Sequence, residues 1–339
     1  MNKFIIIFLS IGFAGLMSCQ NQDWEFDDFE YTTAYFPYQT PVRTLVLDED
    51  YIFDNSNDLQ MKFWISATMG GVYENDRDQM VEYQIDESLV NGLVNDDGEP
   101  IIALPESYYS IINGNDNTII IPSGKMFGSI EIQLTEAFLQ DKKAVGVNYV
   151  IPVKMISATT DSVLRGKPAI SEPDPRVSSD WDLMPKDYTL FGIKYVNRYH
   201  GRYLLRGQST IRDTDGNIVN QIEYRQPNVV EDEVVFVRTD SVNTVVYGNA
   251  LRGTTGNFEM IIKFDESGNA SITESTNSDF LVTGSGEFAK NADEWGGKER
   301  NAIYLDYEVN DGTNTHNILD TLVFRDKNVA FEEFSLNVE

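Results

Sequence analysis

Trp295 lies between Asp293-Glu294 and Gly296-Gly297. That grouping suits a sugar. An indole face stacks on the C–H side of a pyranose, a carboxylate accepts from its hydroxyls, and glycines let a ligand come close to the backbone. Trp295 and Glu294 are therefore the first candidate ligand contacts, at the mouth of a hairpin. The same indole could instead plug the end of a barrel, with its N–H on a backbone carbonyl. Tyr73, beside Gly70-Gly71, offers a second aromatic ring in a loop. Residues 193–206 read as one amphipathic strand, with Tyr195, Tyr199, Tyr203 and Leu205 on one face and Lys194, Arg198, His200, Arg202 and Arg206 on the other. Arg198 and Arg202 could contact an anionic or uronate group. Alternatively the face is solvated and paired with carboxylates such as Glu231, Asp232 and Glu233. Trp64 alternates with its neighbours as a core residue would, and Trp181, where a linker enters the second domain, reads as an interdomain packing residue.

Other chemistries have little material. The 339 residues hold two histidines, His200 and His316, and one cysteine, Cys19, which leaves too few groups for zinc sites, His-based triads or disulfides. Neither a G-x-S-x-G nor an H-E-x-x-H pattern occurs. Asp213-Thr-Asp215-Gly216-Asn217 has a fragment of calcium-loop spacing, but its glycine comes early and no Glu closes it, so it reads as a hairpin turn. Glycoside hydrolysis needs two carboxylates a fixed distance apart, and nothing singles out a pair among 54 acids. The expectation is a protein that is not an enzyme and that has no cofactor and no metal. A net charge of −28 opposes binding to nucleic acid, to an anionic membrane surface or to a strongly polyanionic glycan.

The N-terminus carries an address. Lys3 precedes an uncharged run from Phe4 to Met17, too short to span a bilayer with comfort. Leu16-Met17-Ser18-Cys19 follows and resembles a bacterial lipobox. The thiol would form the thioether to diacylglycerol, and the small Ser18 would let the peptidase close. Acyl chains contribute roughly 0.8 kcal/mol per buried CH₂, so a multiply acylated terminus anchors stably. Residues 1–18 are thus expected to be a lipoprotein signal peptide, and the mature chain has a net charge of −29. Asp23, Glu25, Asp27, Asp28 and Glu30 then form an acidic tether over residues 19–30, similar to the surface-export signal of Bacteroidetes lipoproteins.

Beyond the tether, short alternating segments bounded by Gly, Asn and Asp indicate an all-β chain. Phe258, Met260, Ile262 and Phe264 alternate, turn through Asp265–Asn269, and return along Ala270–Glu274. Ile303, Leu305, Tyr307 and Val309 alternate likewise, and Ile211–Ile218 reads as a hairpin with Asp215-Gly216 in its turn. One helical turn is expected over Thr135–Asp141. Residues 166–180 hold Pro168, Pro173 and Pro175 without alternation, and read as an extended linker. This divides the chain into a domain at 31–165 and another at 181–339.

Tyr35-Phe-Pro37-Tyr-Gln39-Thr-Pro41, Ala67-Thr-Met-Gly70-Gly71-Val-Tyr73, Leu104-Pro-Glu-Ser-Tyr108-Tyr109 and Ile121-Pro-Ser-Gly124 together resemble an N-terminal domain of unknown function from Bacteroidetes surface lipoproteins. Lys194-Tyr-Val-Asn197-Arg-Tyr199-His200-Gly201, Glu294-Trp295-Gly296-Gly297 and Leu322-Val-Phe-Arg325-Asp326 resemble its usual C-terminal partner domain. The resemblance implies an immunoglobulin-like β-sandwich followed by a lipocalin-like antiparallel β-barrel. It also implies an accessory lipoprotein of a polysaccharide utilisation locus, displayed on the outer membrane. Its role would be to bind glycan for a SusC/SusD-like transporter. A scaffold of that transport complex with no sugar contact is the rival expectation, and a glycoside hydrolase the second.

Overall fold

The structure, a computed structural model, describes residues 31–113 and 117–338. The expected signal peptide, Cys19 and the acidic tether lie outside the described residues. Among those described, no helix is long and apolar enough to cross a membrane.

Period-2 alternation builds the N-terminal part. In the strand Lys62–Gly70, Phe63, Ile65, Ala67 and Met69 point inward. Phe127–Leu134 pairs with it antiparallel and buries Ile130, Ile132 and Leu134. These strands form a five-stranded sheet with Thr33–Tyr35, Ser162–Val163 and Tyr109–Ile111. A seven-stranded sheet packs against it, centred on Tyr149–Ala158 with Gln79–Ile85 and Tyr188–Val196 as its neighbours. One apolar core joins the two, from Phe63 and Ile65 on one sheet to Val81, Ile151 and Tyr195 on the other. Trp64 is out of phase with this core and stands 40% exposed beside Glu131. The expectation that it is a core residue is corrected, because the phase of the strand is set by Phe63 and Ile65.

The Pro-rich segment is not an extended connector. Lys167–Pro168 pairs with Trp181–Leu183, and Ala169 N–H donates to Asp180 O at 2.8 Å, so the chain folds back on itself. Trp181 donates its indole N–H to Asp174 O at 2.7 Å and fastens this excursion rather than a domain contact. Arg176, held by Asp174, donates to the carbonyls of Leu89 and Asn91 and pins the excursion to the sandwich. The chain then re-enters the seven-stranded sheet as Tyr188–Val196, antiparallel to Tyr149–Ala158 and parallel to Pro41–Val46.

The expected single strand over residues 193–206 is two strands in two different sheets. It breaks at Asn197–His200, where His200 N–H donates to Asn197 O, and Gly201 takes φ 146°. From Gly201 onward the sheet curls into a closed antiparallel barrel of eight strands. Gly201–Arg212 closes it against Thr315–Asp326, and Ile218–Tyr224 flanks it at one edge. The expected hairpins are present: Glu259–Phe264 with Asn269–Glu274, and Gly201–Arg212 with Ile218–Tyr224. Their turns share one chemistry. Asp213 Oδ1 accepts from the N–H groups of Asp215 and Asn217, as Asp265 Oδ1 does from Ser267 and Asn269. The calcium-like fragment is thus a self-bonded turn.

Side chains fill the barrel, with Tyr203, Tyr247, Met260, Ile262, Phe264, Ile303 and Leu305 at its core. Gly207 lets Asp320 fold inward: a Cβ there would lie 2.4 Å from Asp320 Oδ1, 2.4 Å from Leu319 O and 2.9 Å from the Tyr224 ring. Gly207→Ala is expected to cost about 1–3 kcal/mol, the range for overpacking a tight core. A lowered urea midpoint at unchanged slope would register it, and an unchanged midpoint would refute the close packing.

After Asp326 the chain returns to the sandwich. Glu332–Glu333 pairs with Pro41–Val46, and Asn337–Val338 pairs with Leu93–Val94. The barrel is therefore joined to the sandwich by two crossings, one outgoing at Val196–Gly201 and one returning at Asp326–Ala330.

Candidate functional site

A cleft of about 400 Å³ opens between the two crossings. The sandwich supplies Arg43, Thr44 and Val46 from the strand Pro41–Val46, and Asp50, residues 52–55 and Asp58 from the loop and short helix that follow. The barrel side supplies Arg202 and residues 326–330.

The loop is shaped by its own polar side chains. Asp50 Oδ1 accepts from the N–H groups of Ile52 and Phe53 at 2.7 and 3.1 Å. Asn55 donates to the carbonyls of Val46 and Asp48 and accepts from Asp50 N–H. This turn holds Phe53 and Ile52 out of any core, 69% and 63% exposed. Large apolar side chains displayed so fully at the edge of a polar cleft suit a ligand with both apolar and hydroxyl faces.

Two ion pairs flank the cleft from opposite units. Arg43 pairs with Asp58, which is buried and also accepts from Val46 N–H at 3.2 Å. Arg202 grips Asp326 through two parallel bonds, Nε to Oδ1 at 2.8 Å and Nη2 to Oδ2 at 3.0 Å. Lys327 is buried between them, its ammonium donating to Arg198 O at 2.7 Å, and burial pulls it down to about 8. Asp50 and Asp54 also line the cleft and accept backbone N–H bonds from Ile52, Phe53 and Ser56, so the cleft offers fixed donors and acceptors of both signs. Thr44 and Lys194 both meet Glu332 where the returning crossing joins the sandwich, and Tyr38 packs at a tilt against the adjacent Phe331, with ring centroids 4.9 Å apart.

Of the residues singled out by sequence, the structure brings Arg202 into this cleft. Arg198 stands at its rear wall, its guanidinium over the Phe288 ring at 4.9 Å and 3.9 Å from Asp48. The cationic face is paired throughout: Arg206 bonds Asp232 at 2.7 Å, one of the carboxylates anticipated, and His200 Nδ1 accepts from Thr239 N–H. Trp295 does close a hairpin on Gly296-Gly297, both at positive φ. Its indole N–H, however, is taken by Phe324 O at 2.9 Å, and one ring face is covered by Arg300 at 4.3 Å. Arg300 also lies over Tyr51, which packs on Phe324, so Trp295 stacks behind the cleft wall. Glu294 is exposed beside it. Tyr73 is exposed in its loop, at the far end of the nine-residue strand Lys62–Gly70 from the helix that lines the cleft, a separation of roughly 30 Å. Sequence reasoning missed Phe53. Its signal was the bracket Asp50-Tyr-Ile-Phe53-Asp54, in which two turn-forming aspartates enclose an apolar triplet. Among the described residues no three His, Cys, Asp or Glu side chains gather as a metal site.

Comparison with known proteins agrees with this architecture. The profile of the domain of unknown function DUF5627 matches residues 198–328, and a profile described as an N-terminal domain matches residues 29–162. A structural-genomics protein of unknown function from Bacteroides ovatus is 34% identical over 92% of this chain and 100% of that one, with a TM-score of 0.82. A multidomain Bacteroides ovatus protein including DUF1735 is 11% identical, covering 88% of this chain and 97% of that one, at a TM-score of 0.44. No curated protein matches the chain.

Proposed function

The chain belongs to the family of two-domain proteins of unknown function represented by the first Bacteroides ovatus structure, and on that premise we propose that it is a non-catalytic, glycan-binding surface lipoprotein. It would be acylated at Cys19, held at the outer membrane, and capture glycan for a SusC/SusD-like uptake system. The observation that carries the reading is the cleft at the double crossing. There an exposed Phe53 faces two preorganised Arg–Asp pairs, the combination of apolar platform and fixed hydroxyl partners that saccharides require.

We read the cleft as a binding rather than a hydrolytic site. A glycosidase needs one carboxyl group that holds a proton near neutrality and reaches the leaving oxygen. Of the four aspartates lining the cleft, Asp58 and Asp326 are acceptors in ion pairs, Asp50 accepts two backbone N–H bonds, and hydrogen bonds from Ser56 hold Asp54 below the usual carboxylate range. Burial raises Asp320 to about 6, but it is only 4% exposed inside the barrel, away from any glycan path. Weak affinity at one cleft would be offset by a high density of copies on one membrane.

Calorimetry on the chain from residue 20 onward, against neutral and host-derived glycans, tests this. Phe53→Ala should weaken binding about tenfold or more, the value of one lost stacking contact. Arg202→Met should weaken it further, while both variants keep the wild-type circular dichroism. Silence across the glycans, or Phe53→Ala binding like wild type, would reject the cleft as a sugar site.

A further inference from the structure

The barrel encloses a second polar feature that the proposed function does not use. Asp320, on the strand Thr315–Asp326, turns into the interior, where Tyr224 and Tyr307 both donate to it, Tyr307 at 2.7 Å. Beside it a chamber of about 20 Å³ is lined by Asp320, Tyr224, Tyr307, Tyr247, Ser209 and Arg252, among others. That volume admits one water-sized particle. Ser209 is 2% exposed and lines this chamber, and among the described residues its Oγ has no hydrogen-bond partner. A buried hydroxyl left unpaired costs about 1–3 kcal/mol, so a guest that satisfies it is favoured.

The charge balance says what kind of guest. The protons of the Tyr224 and Tyr307 hydroxyls are already donated to Asp320, so these groups present oxygen lone pairs to the chamber. Among the described residues the Asp320 carboxylate has no cation paired with it. Arg252, which lines the chamber, is bound to Glu233 and lies over the Tyr224 ring at 4.2 Å. A buried carboxylate without a counter-charge is costly, and a small hard cation ligated by oxygens offsets that cost. One carboxylate balances one positive charge.

We propose that this chamber binds a small monovalent cation, sodium or ammonium, held by Asp320, the hydroxyl oxygens of Tyr224 and Tyr307, and Ser209 Oγ. The ion locks the four strands that carry these residues, and so stabilises the barrel end under residues 249–252.

The test compares thermal unfolding in sodium, ammonium and tetramethylammonium chloride at equal ionic strength and about pH 8, where a carboxyl such as Asp320 is ionised. Tetramethylammonium is too large for the chamber. The wild-type protein should melt about 2–4 °C higher in sodium or ammonium once the ion is tenfold above its dissociation constant. Ser209→Ala should shrink that difference, and Asp320→Asn should abolish it. Equal melting in all three salts, or a difference that survives Asp320→Asn, overturns the proposal and leaves the chamber to a water molecule. Should Asp320→Asn fail to fold, Ser209→Ala decides, since it removes one ligand and no charge: an unchanged salt difference overturns the proposal.

Discussion

Asn197→Ala is expected to destabilise the protein by about 3–5 kcal/mol, more than removal of most apolar side chains on its surface could. Asn197 is fully buried at the outgoing crossing. Its amide donates to Ser241 O at 2.7 Å and to Thr244 O at 2.9 Å, and its Oδ1 accepts from Tyr199 N–H at 3.0 Å. Its own N–H donates to Thr239 Oγ1 at 2.9 Å. One side chain therefore satisfies three backbone groups and ties the end of a sandwich strand to the hairpin formed by Glu233–Ser241 and Thr244–Gly248. Alanine leaves those three groups dry and unpaired, each at about 1–3 kcal/mol. Asn197→Asp is the sharper probe. It keeps the acceptor for Tyr199 but turns a carboxylate oxygen toward two carbonyls, and should cost at least as much as alanine. Urea unfolding measures both. A loss under about 1 kcal/mol for alanine would mean that water replaces the amide, and that the crossing is not held by Asn197.

The position of Asn197 also explains what the sequence concealed. The all-β class was legible because each strand is amphipathic by itself: Phe258 to Phe264 alternates whatever its neighbours are. Sheet membership is not local. Tyr188–Val196 pairs in parallel with Pro41–Val46, some 150 residues earlier, and nothing within residues 188–206 records that partner. Tyr195, Tyr199 and Tyr203 are spaced by four, which keeps them in phase across a break as well as along one strand. The break did leave a mark, a turn-prone Asn197 and a Gly201 whose φ of 146° suits glycine. Gly201 also lies where a Cβ would strike Asp326 O at 2.5 Å.

The candidate site was legible in its charges and not in its aromatics. Arg202 stood out because cations are rare in this chain, and a rare charge that is kept is usually paired or working. Aromatic residues are common here, with 19 Phe, 17 Tyr and 4 Trp, so residue type alone could not separate a displayed ring from a packed one. Trp295 and Phe53 show the difference. Both follow acids closely, but Trp295 is drawn onto the barrel by a carbonyl and a guanidinium, whereas Phe53 is held outward by the turn at Asp50. Those partners come from residues 324, 300 and 50, and only folding brings the first two to Trp295.

His200 should make the stability of the crossing depend on pH, and replacing it should remove most of that dependence. Burial first, and then the nearby Lys327 and Lys194 charges, push His200 down to about 3. In the fold it is neutral and accepts from Thr239 N–H at 3.1 Å, with its ring edge-on to Phe236. In the unfolded chain it takes up a proton near pH 6.5. Below that value the unfolded state binds more protons, so the stability due to His200 is complete above about pH 6.5 and is lost as pH falls toward 3. The slope is about 1.4 kcal/mol per pH unit, or roughly 2–3 kcal/mol between pH 6.5 and 4.5. Asp320 acts with the opposite sign, since its raised value favours the fold on the acid side of about 6. The readout is therefore the difference between wild type and His200→Gln, which can still accept from Thr239 N–H without titrating. The two should diverge in stability on acidification, with wild type losing the additional 2–3 kcal/mol. Parallel profiles across that range would show that His200 takes a proton in place. The crossing borders the cleft, because Thr239 is held by both His200 and Asn197, which flank Arg198 and Tyr199 and come just before Arg202. A protonated His200 would release that hold. In the fold, however, His200 stays neutral down to about 3, so any ligand affinity of the cleft should hold between pH 6.5 and 4.5 while the stability falls.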